Sequence, residues 1–256
     1  MKIVVKVGTS TLAHSTGKLN ISRTKKLCEV LSDLKNGGHE IILVSSGAIG
    51  MGVGKLNLAS RPDDIPTKQA AAAIGQCELM YTYDKMFSEY GHIVAQILLT
   101  GADFSHADRS ENFSNTMTRL LQLGALPVIN ENDTVATEEI SVGDNDTLSA
   151  LVAVNTGADL LVILSDIDGL YDADPHKVKT AKRIEVVEEL TAEIMALGGE
   201  KGSSLGTGGM RTKLRAAAIC MGAGCDMVIA NGETPEVLYD LAVGKGAGTR
   251  FLAKKE

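Results

Sequence analysis

Six short apolar runs recur along the chain, each bounded by turn residues: KIVVKV (2–7), EIILVSS (40–46), HIVAQILLT (92–100), LPVIN (126–130), DLLVILSD (159–166) and CDMVIAN (225–231). None alternates strictly between apolar and polar residues. A strand with one wet face has to alternate, so these runs read as strands covered on both faces, the situation of a mainly parallel sheet. Helical patterns lie between most of them. Leu27, Val30, Leu31 and Leu34 fall at helical spacing after Ile21, and Gly37 and Gly38 stop the run. Pro66 opens a second helix that runs to about Tyr90, and Ser110 is placed to cap a third that ends near Gly124. RTKLRAAAICMG (211–222) reads as another. Strand and helix in alternation predict an α/β fold, a three-layer α/β/α sandwich around a mainly parallel central sheet. With 256 residues, 44% of them hydrophobic, and no proline-rich linker or repeat, a single domain over 1–256 is expected. TVATEEISV (134–142) alternates polar and apolar residues and reads as a small hairpin that could act as a lid.

Composition removes several classes of function. The formal net charge is −7, which does not supply the broad basic surface that a phosphodiester backbone needs, so nucleic acid is not expected as a partner. The apolar start of the chain is too short for a signal peptide, and no run approaches the roughly 20 apolar residues of a membrane span. Cys28, Cys77, Cys220 and Cys225 form no CxxC pair and sit mostly in apolar contexts, which fits free thiols in a reducing cytoplasm. The histidines His14, His39, His92, His106 and His176 have no metal-binding spacing, so structural or surface roles are the default for them.

Three segments put small residues where a strand is expected to give way to a helix: KVGTST (6–11), SSGAIGMG (45–52) and GTGGMRTK (206–213). Open α/β sheets bind ligands at the carboxyl ends of their strands. Glycines let backbone amides approach phosphate oxygens there, and a following helix adds its positive end. Each segment alone has a plainer explanation: Lys6 or Lys213 as a solvated lysine, VGDND (142–146) as a turn and helix cap, KGSSLGTGGM (201–210) as a glycine-rich loop. Together they point to an anionic ligand. The P-loop pattern GxxxxGK[ST] and the dinucleotide pattern GxGxxG are both absent. The remaining polar set of Lys, Asp, Asn, Ser and backbone amides contains no obvious general base. A carboxylate nucleophile, with a pKa of about 4, needs none, whereas its approach to an anionic phosphoryl group needs charge neutralisation, at about 3 kcal/mol per positioned donor.

KVGTS, VSSGAI, INENDTV, VGDND, LSDIDGLY and GTGGMRTK, in this order over residues 2 to 252, resemble the glutamate 5-kinase branch of the amino-acid kinase family. The resemblance implies transfer of the γ-phosphoryl group of ATP, with Mg²⁺, to the side-chain carboxylate of L-glutamate, the first step towards proline. It implies that Lys6 and Lys213 bind phosphate and stabilise the transferring group, that Asp146 holds the two lysines, and that Gly47 and Ala48 offer backbone amides. Ser46, Asp133 and Asn145 resemble the glutamate-binding residues, with Asp133 suited to the substrate ammonium. Ser165 and Asp166, with Thr207, Gly208, Gly209, Met210, Arg211, Thr212 and Lys213, match the ATP-binding segments. No protein side chain is assigned as a direct metal ligand, and Asp144 is left between the turn and the Mg²⁺ environment. The resemblance further implies feedback inhibition by proline near Asn130 and residues 134–142, and a homo-oligomer. Family members often carry an extra C-terminal RNA-binding-like domain, which is not expected within 1–256. The rival readings are a sibling kinase acting on N-acetylglutamate, aspartate, carbamate or a nucleoside monophosphate, and a sensor that binds without turnover.

Overall fold

The structure, a computed structural model, describes residues 1–14, 18–136, 145–175, 177–199 and 209–254. All six apolar runs are strands. They are β1 (Lys2–Val7), β2 (Glu40–Ser45), β3 (Val94–Leu99), β4 (Leu126–Glu131), β5 (Leu160–Ser165) and, after three two-residue strands, β9 (Asp226–Asn231). The two-residue strands are β6 (Leu170–Tyr171), β7 (Arg183–Ile184) and β8 (Val186–Val187), and β10 (Thr249–Phe251) closes the series. The main sheet runs β3-β4-β2-β1-β5-β9-β10-β8, parallel at every pairing except β9 with β10, while β6 and β7 form a separate ribbon. The mainly parallel sheet is therefore present, and β1 lies at its centre between β2 and β5. The chain leaves β1 first towards one edge and later takes up the other, so β1 marks the point where the winding reverses.

The helices are α1 (Thr9–Leu12), α2 (Ile21–Asn36), α3 (Ala48–Lys55), α4 (Ile65–Ser88), α5 (Ala107–Gln122), α6 (Asn145–Asn155), α7 (Ala192–Ala196), α8 (Met210–Gly222) and α9 (Val237–Ala242). Successive strand side chains point to opposite faces. Val4 packs with α5, α6 and α8, whereas Ile3, Val5 and Val7 pack with α2, α4 and α9. These are the outer layers of the sandwich. The side chain of Lys6, two residues after Val4, leaves the sheet on the α6–α8 side, and that parity decides which helices can reach it. Residues such as Ile42, Leu43, Leu161 and Val162 are fully buried, and each such side chain contributes about 1.5–3 kcal/mol.

The helix starts follow local chemistry. The Asn20 side chain caps α2 by accepting from the Arg23 N–H at 3.0 Å, and Asp64 caps α4 by accepting from the Thr67 N–H at 2.9 Å, with Pro66 in the first turn. Ser110, expected to cap a helix, instead lies a turn inside α5, where its N–H donates to the His106 carbonyl at 2.9 Å. The reason lies upstream: Thr100 and Asp103 form a capping box on a short 3-10 turn, Gly101–Ser105, that leads into α5. Ser110 Oγ is used to reach Asn155 Oδ1 at the end of α6, 2.9 Å away. A second correction concerns GTGGMRTK: the described element before it is the short helix α7, not an apolar strand. Within the expected hairpin only residues 134–136 are described, with the Val135 and Ala136 N–H groups turning back to the Asn132 carbonyl; 137–142 lie outside the described residues, as do Gly143, Asp144, His176, Thr207 and Gly208.

α3 sits unusually close to α4. A Cβ on Gly52 would come within 1.8 Å of the Ala71 carbonyl oxygen, and one on Gly75 within 1.8 Å of the Ala48 carbonyl oxygen. Only glycine allows this approach, and it fixes the N-terminus of α3 against the carboxyl end of β2.

Candidate active site

Asp146 is completely buried in the first turn of α6, where the positive end of the helix favours a carboxylate. Lys6 Nζ lies 2.7 Å from its Oδ1 and Lys213 Nζ lies 3.2 Å from its Oδ2. The Thr212 hydroxyl donates to Oδ2 at 2.8 Å and also contacts the Gly209 carbonyl at 2.7 Å, which ties the cluster to the start of α8. Lys6 comes from the central strand and Lys213 from α8, 207 positions later in the chain, and both are buried. Burial alone would raise the Asp146 carboxyl; the attraction of Lys6 and Lys213, with hydrogen bonds from Lys6 and Thr212, outweighs it and holds the group well below the usual carboxylate range. Two buried ammoniums thus face one fully buried carboxylate.

The ends of β1, β2, β4 and β5 surround this cluster. Ser46 follows β2, with its N–H bonded to the Val7 carbonyl at 3.0 Å, and Gly47 then takes a left-handed conformation, φ 110°, to start α3. α3 therefore starts at the carboxyl edge of the sheet, where a helix presents its positive end. Asn145 Nδ2 donates to Ser46 Oγ at 2.8 Å and to Asn130 Oδ1 at 2.9 Å. The structure thus joins Ser46 and Asn145, and places Asn145 next to Asp146 in sequence. Asp133 follows β4. Its carboxyl is raised by burial, with the Arg61 guanidinium opposing the rise.

Ser165 ends β5, in register with Asn231 at the end of β9, and its hydroxyl donates to Asp166 Oδ1 at 3.1 Å. Both lie on the same edge of the sheet as Lys6. Gly209 caps α8, Met210 and Arg211 open it, and the Thr212 and Lys213 N–H groups turn back to the Gly209 carbonyl at 3.2 and 3.4 Å. Thr212, expected only as part of a nucleotide segment, has a further role as a donor to Asp146. Gln76 went unnoticed in the sequence. It is buried on α4 and accepts from Asn130 Nδ2 at 2.9 Å. Its signal was a polar residue on the stripe Ala72, Gln76, Leu79, Tyr83, Phe87, which is otherwise apolar and buried. The described residues hold no group of three His, Cys, Asp or Glu side chains able to cage a metal ion, and none of their helices is long and apolar enough to cross a membrane.

A lysine–aspartate–lysine cluster thus lies at the carboxyl edge of a mainly parallel sheet, beside the N-termini of α6 and α8. The chain belongs to the amino acid kinase family, which residues 1–231 match. It is 56% identical to a glutamate 5-kinase of Caldanaerobacter subterraneus subsp. tengcongensis over 255 residues, 100% of this chain and 68% of that protein. With a glutamate 5-kinase of Clostridium perfringens it shares 51% identity over 99% of this chain and 96% of that one. The fold matches that of a carbamate kinase from Giardia lamblia bound to AMP-PNP, with a TM-score of 0.70 at 17% identity, covering 99% of this chain and 98% of that chain. An isopentenyl phosphate kinase matches equally well, with a TM-score of 0.70 at 16% identity, covering 98% of this chain and 100% of that chain. At such low identity these two structures bear on the fold alone.

Proposed function

We propose that this chain transfers the γ-phosphoryl group of ATP to the side-chain carboxylate of L-glutamate, giving ADP and L-glutamyl 5-phosphate, the first step towards proline. The observation that carries the reading is the buried Asp146 bridging Lys6 and Lys213. A carboxylate oxygen forms a bond to the γ-phosphorus while the bond from that phosphorus to the bridging oxygen breaks, and ADP departs with the electron pair. No proton has to move at neutral pH, which agrees with a polar motif set in the sequence that holds no obvious general base. The obstacle is repulsion between two anions. Lys6 and Lys213 offset it, Asp146 holds their ammoniums apart at fixed positions, and the Gly47 and Ala48 amides stand ready for charge that builds on the phosphoryl oxygens.

Ser46, Asn145 and Asp133 form the amino-acid side of this reading. A free ammonium favours the Asp133 carboxylate, whereas an acetylated amine has no charge to offer it, and this favours glutamate over N-acetylglutamate. Ser165, Asp166 and residues 207–213 take the nucleotide. Mg²⁺ ordinarily binds through phosphate oxygens and water with one or two carboxylates, so it needs no cage of side chains, and on the triphosphate it would supply further neutralisation. The reading extends to a cytoplasmic homo-oligomer inhibited by proline; glutamate turnover indifferent to millimolar proline would remove that last part. Trapping of the acyl phosphate by hydroxylamine tests the reaction itself. With ATP and Mg²⁺, a hydroxamate is expected with glutamate and little with N-acetylglutamate or aspartate. A product only with N-acetylglutamate or aspartate would reassign the substrate, and no ADP with any of the three would leave a sensor.

A further inference from the structure

Four polar side chains form a hydrogen-bonded line from the inside of α4 to the amino-acid side of the site: Gln76, Asn130, Asn145 and Ser46. Each amide in such a line has two possible orientations, and backbone groups decide between them here. The Glu131 N–H donates to Asn130 at 2.9 Å, so the atom it meets must be the oxygen, Oδ1. Asn130 Nδ2 is then left to face Gln76, which must present Oε1 to it; the opposite orientation would set two NH₂ groups against each other. At the other end, Asn145 meets Asn130 Oδ1 and the Ser45 carbonyl, at 2.9 and 3.3 Å, and both only accept. Asn145 must therefore turn its NH₂ inward, and that same group also meets Ser46 Oγ at 2.8 Å.

This arrangement gives the pocket a fixed polarity. With its N–H groups used inside the protein, Asn145 has Oδ1 to offer a ligand, and Ser46, which already accepts from Asn145, has its O–H to donate. We infer that Gln76 is a positioning residue which, by holding Asn130 and through it Asn145, makes the pocket present an acceptor to a ligand ammonium and a donor to a ligand carboxylate. The inference rests on the reading above that Ser46 and Asn145 meet the amino acid. A second feature of Gln76 points the same way. Its Nε2 is buried and has no hydrogen-bond partner among the described residues, which costs stability. A residue selected for packing on this apolar stripe would not strand a donor there; one selected for its acceptor would.

The test compares Gln76→Met, which keeps the volume and loses the acceptor, with Gln76→Glu, which keeps an acceptor facing Asn130. For Gln76→Met the expected result is a rise of about tenfold in KM for glutamate, KM for ATP within about twofold, and little change in Tm, since one stranded donor replaces another. The preference for glutamate over glutarate, which lacks the ammonium, is expected to shrink by a similar factor. Gln76→Glu is expected to recover most of both losses. A readout free of turnover accompanies these: in Gln76→Met the side-chain NH₂ protons of Asn145 should exchange with solvent faster than in the wild type. Unchanged Asn145 exchange, or equal losses for ATP and glutamate alongside a fall in Tm, would overturn the proposal. If the wild type turns over no glutamate, the assignment of the reaction fails on its own, and the exchange measurement alone then decides on Gln76.

Discussion

Removal of one carboxylate tests the cradle at the level of the residue. Asp146→Ala leaves two buried ammoniums without their shared partner, and breaking a buried ion pair in this way costs about 3–5 kcal/mol. Urea unfolding is expected to show that loss. Turnover is expected to fall by about a hundredfold or more while KM for ATP changes far less; equal losses in both would argue against an organising role. The folded Asp146 carboxyl lies below its unfolded value, so its contribution to stability is complete above the ordinary carboxylate range and is lost as pH falls from there. Asp133 behaves in the opposite sense. Its carboxyl is raised, chiefly by burial, so it takes up a proton earlier as pH falls and ceases to attract an ammonium. A plot of kcat/KM for glutamate against pH should therefore decline on the acid side somewhat above the ordinary carboxylate range, and Asp133→Asn should lower the plateau and remove that limb. Lys6, Asp146 and Lys213 could be named from motifs, yet no spacing reveals that they meet, because they lie 140 and 67 positions apart. Gln76 carries no motif at all, and only the burial of its helix face shows what it touches.

Two helices held almost in contact set the geometry of the amide donors at the level of the element. Gly75→Ala would drive a methyl group into the Ala48 carbonyl, at the start of α3. A loss of about 2 kcal/mol or more is expected, with a fall in kcat as the Gly47 and Ala48 amides shift. Gly54→Ala lies in the same helix with nothing within 4 Å of the added carbon, and it should leave kcat alone and raise stability by about 0.5–1 kcal/mol. Thermal unfolding and steady-state kinetics of the pair separate close packing from a general intolerance of α3. The elements that sequence reading located were those long enough to show a period or apolar throughout, such as α2, α4 and β5. β6, β7, β8 and β10 are two or three residues long and show no period, and their pairing is decided by the sheet that receives them. Ser110 misled for a related reason: a good capping residue is overruled when the preceding turn is already wound and capped.

The order of strands brings the two halves of the site together in the molecule as a whole. β1 is flanked by β2 and β5, so Lys6 stands where the winding reverses, with α6 and α8 packed over its face of the sheet. The layered α/β class was legible from alternating runs, because burial on both faces leaves a compositional trace. Strand order and the pairing of α6 with α8 were not, since they arise from contacts between segments that carry no local mark of each other. The account depends on that pairing placing two ammoniums beside the triphosphate. Its most direct test is a crystal structure with glutamate, Mg²⁺ and a non-hydrolysable ATP analogue. Lys6 and Lys213 Nζ are predicted within about 3 Å of phosphate oxygens, with Asp146 still between them and the glutamate side-chain carboxylate facing the terminal phosphorus. A triphosphate bound away from both lysines, with Asp146 still between them, would contradict it.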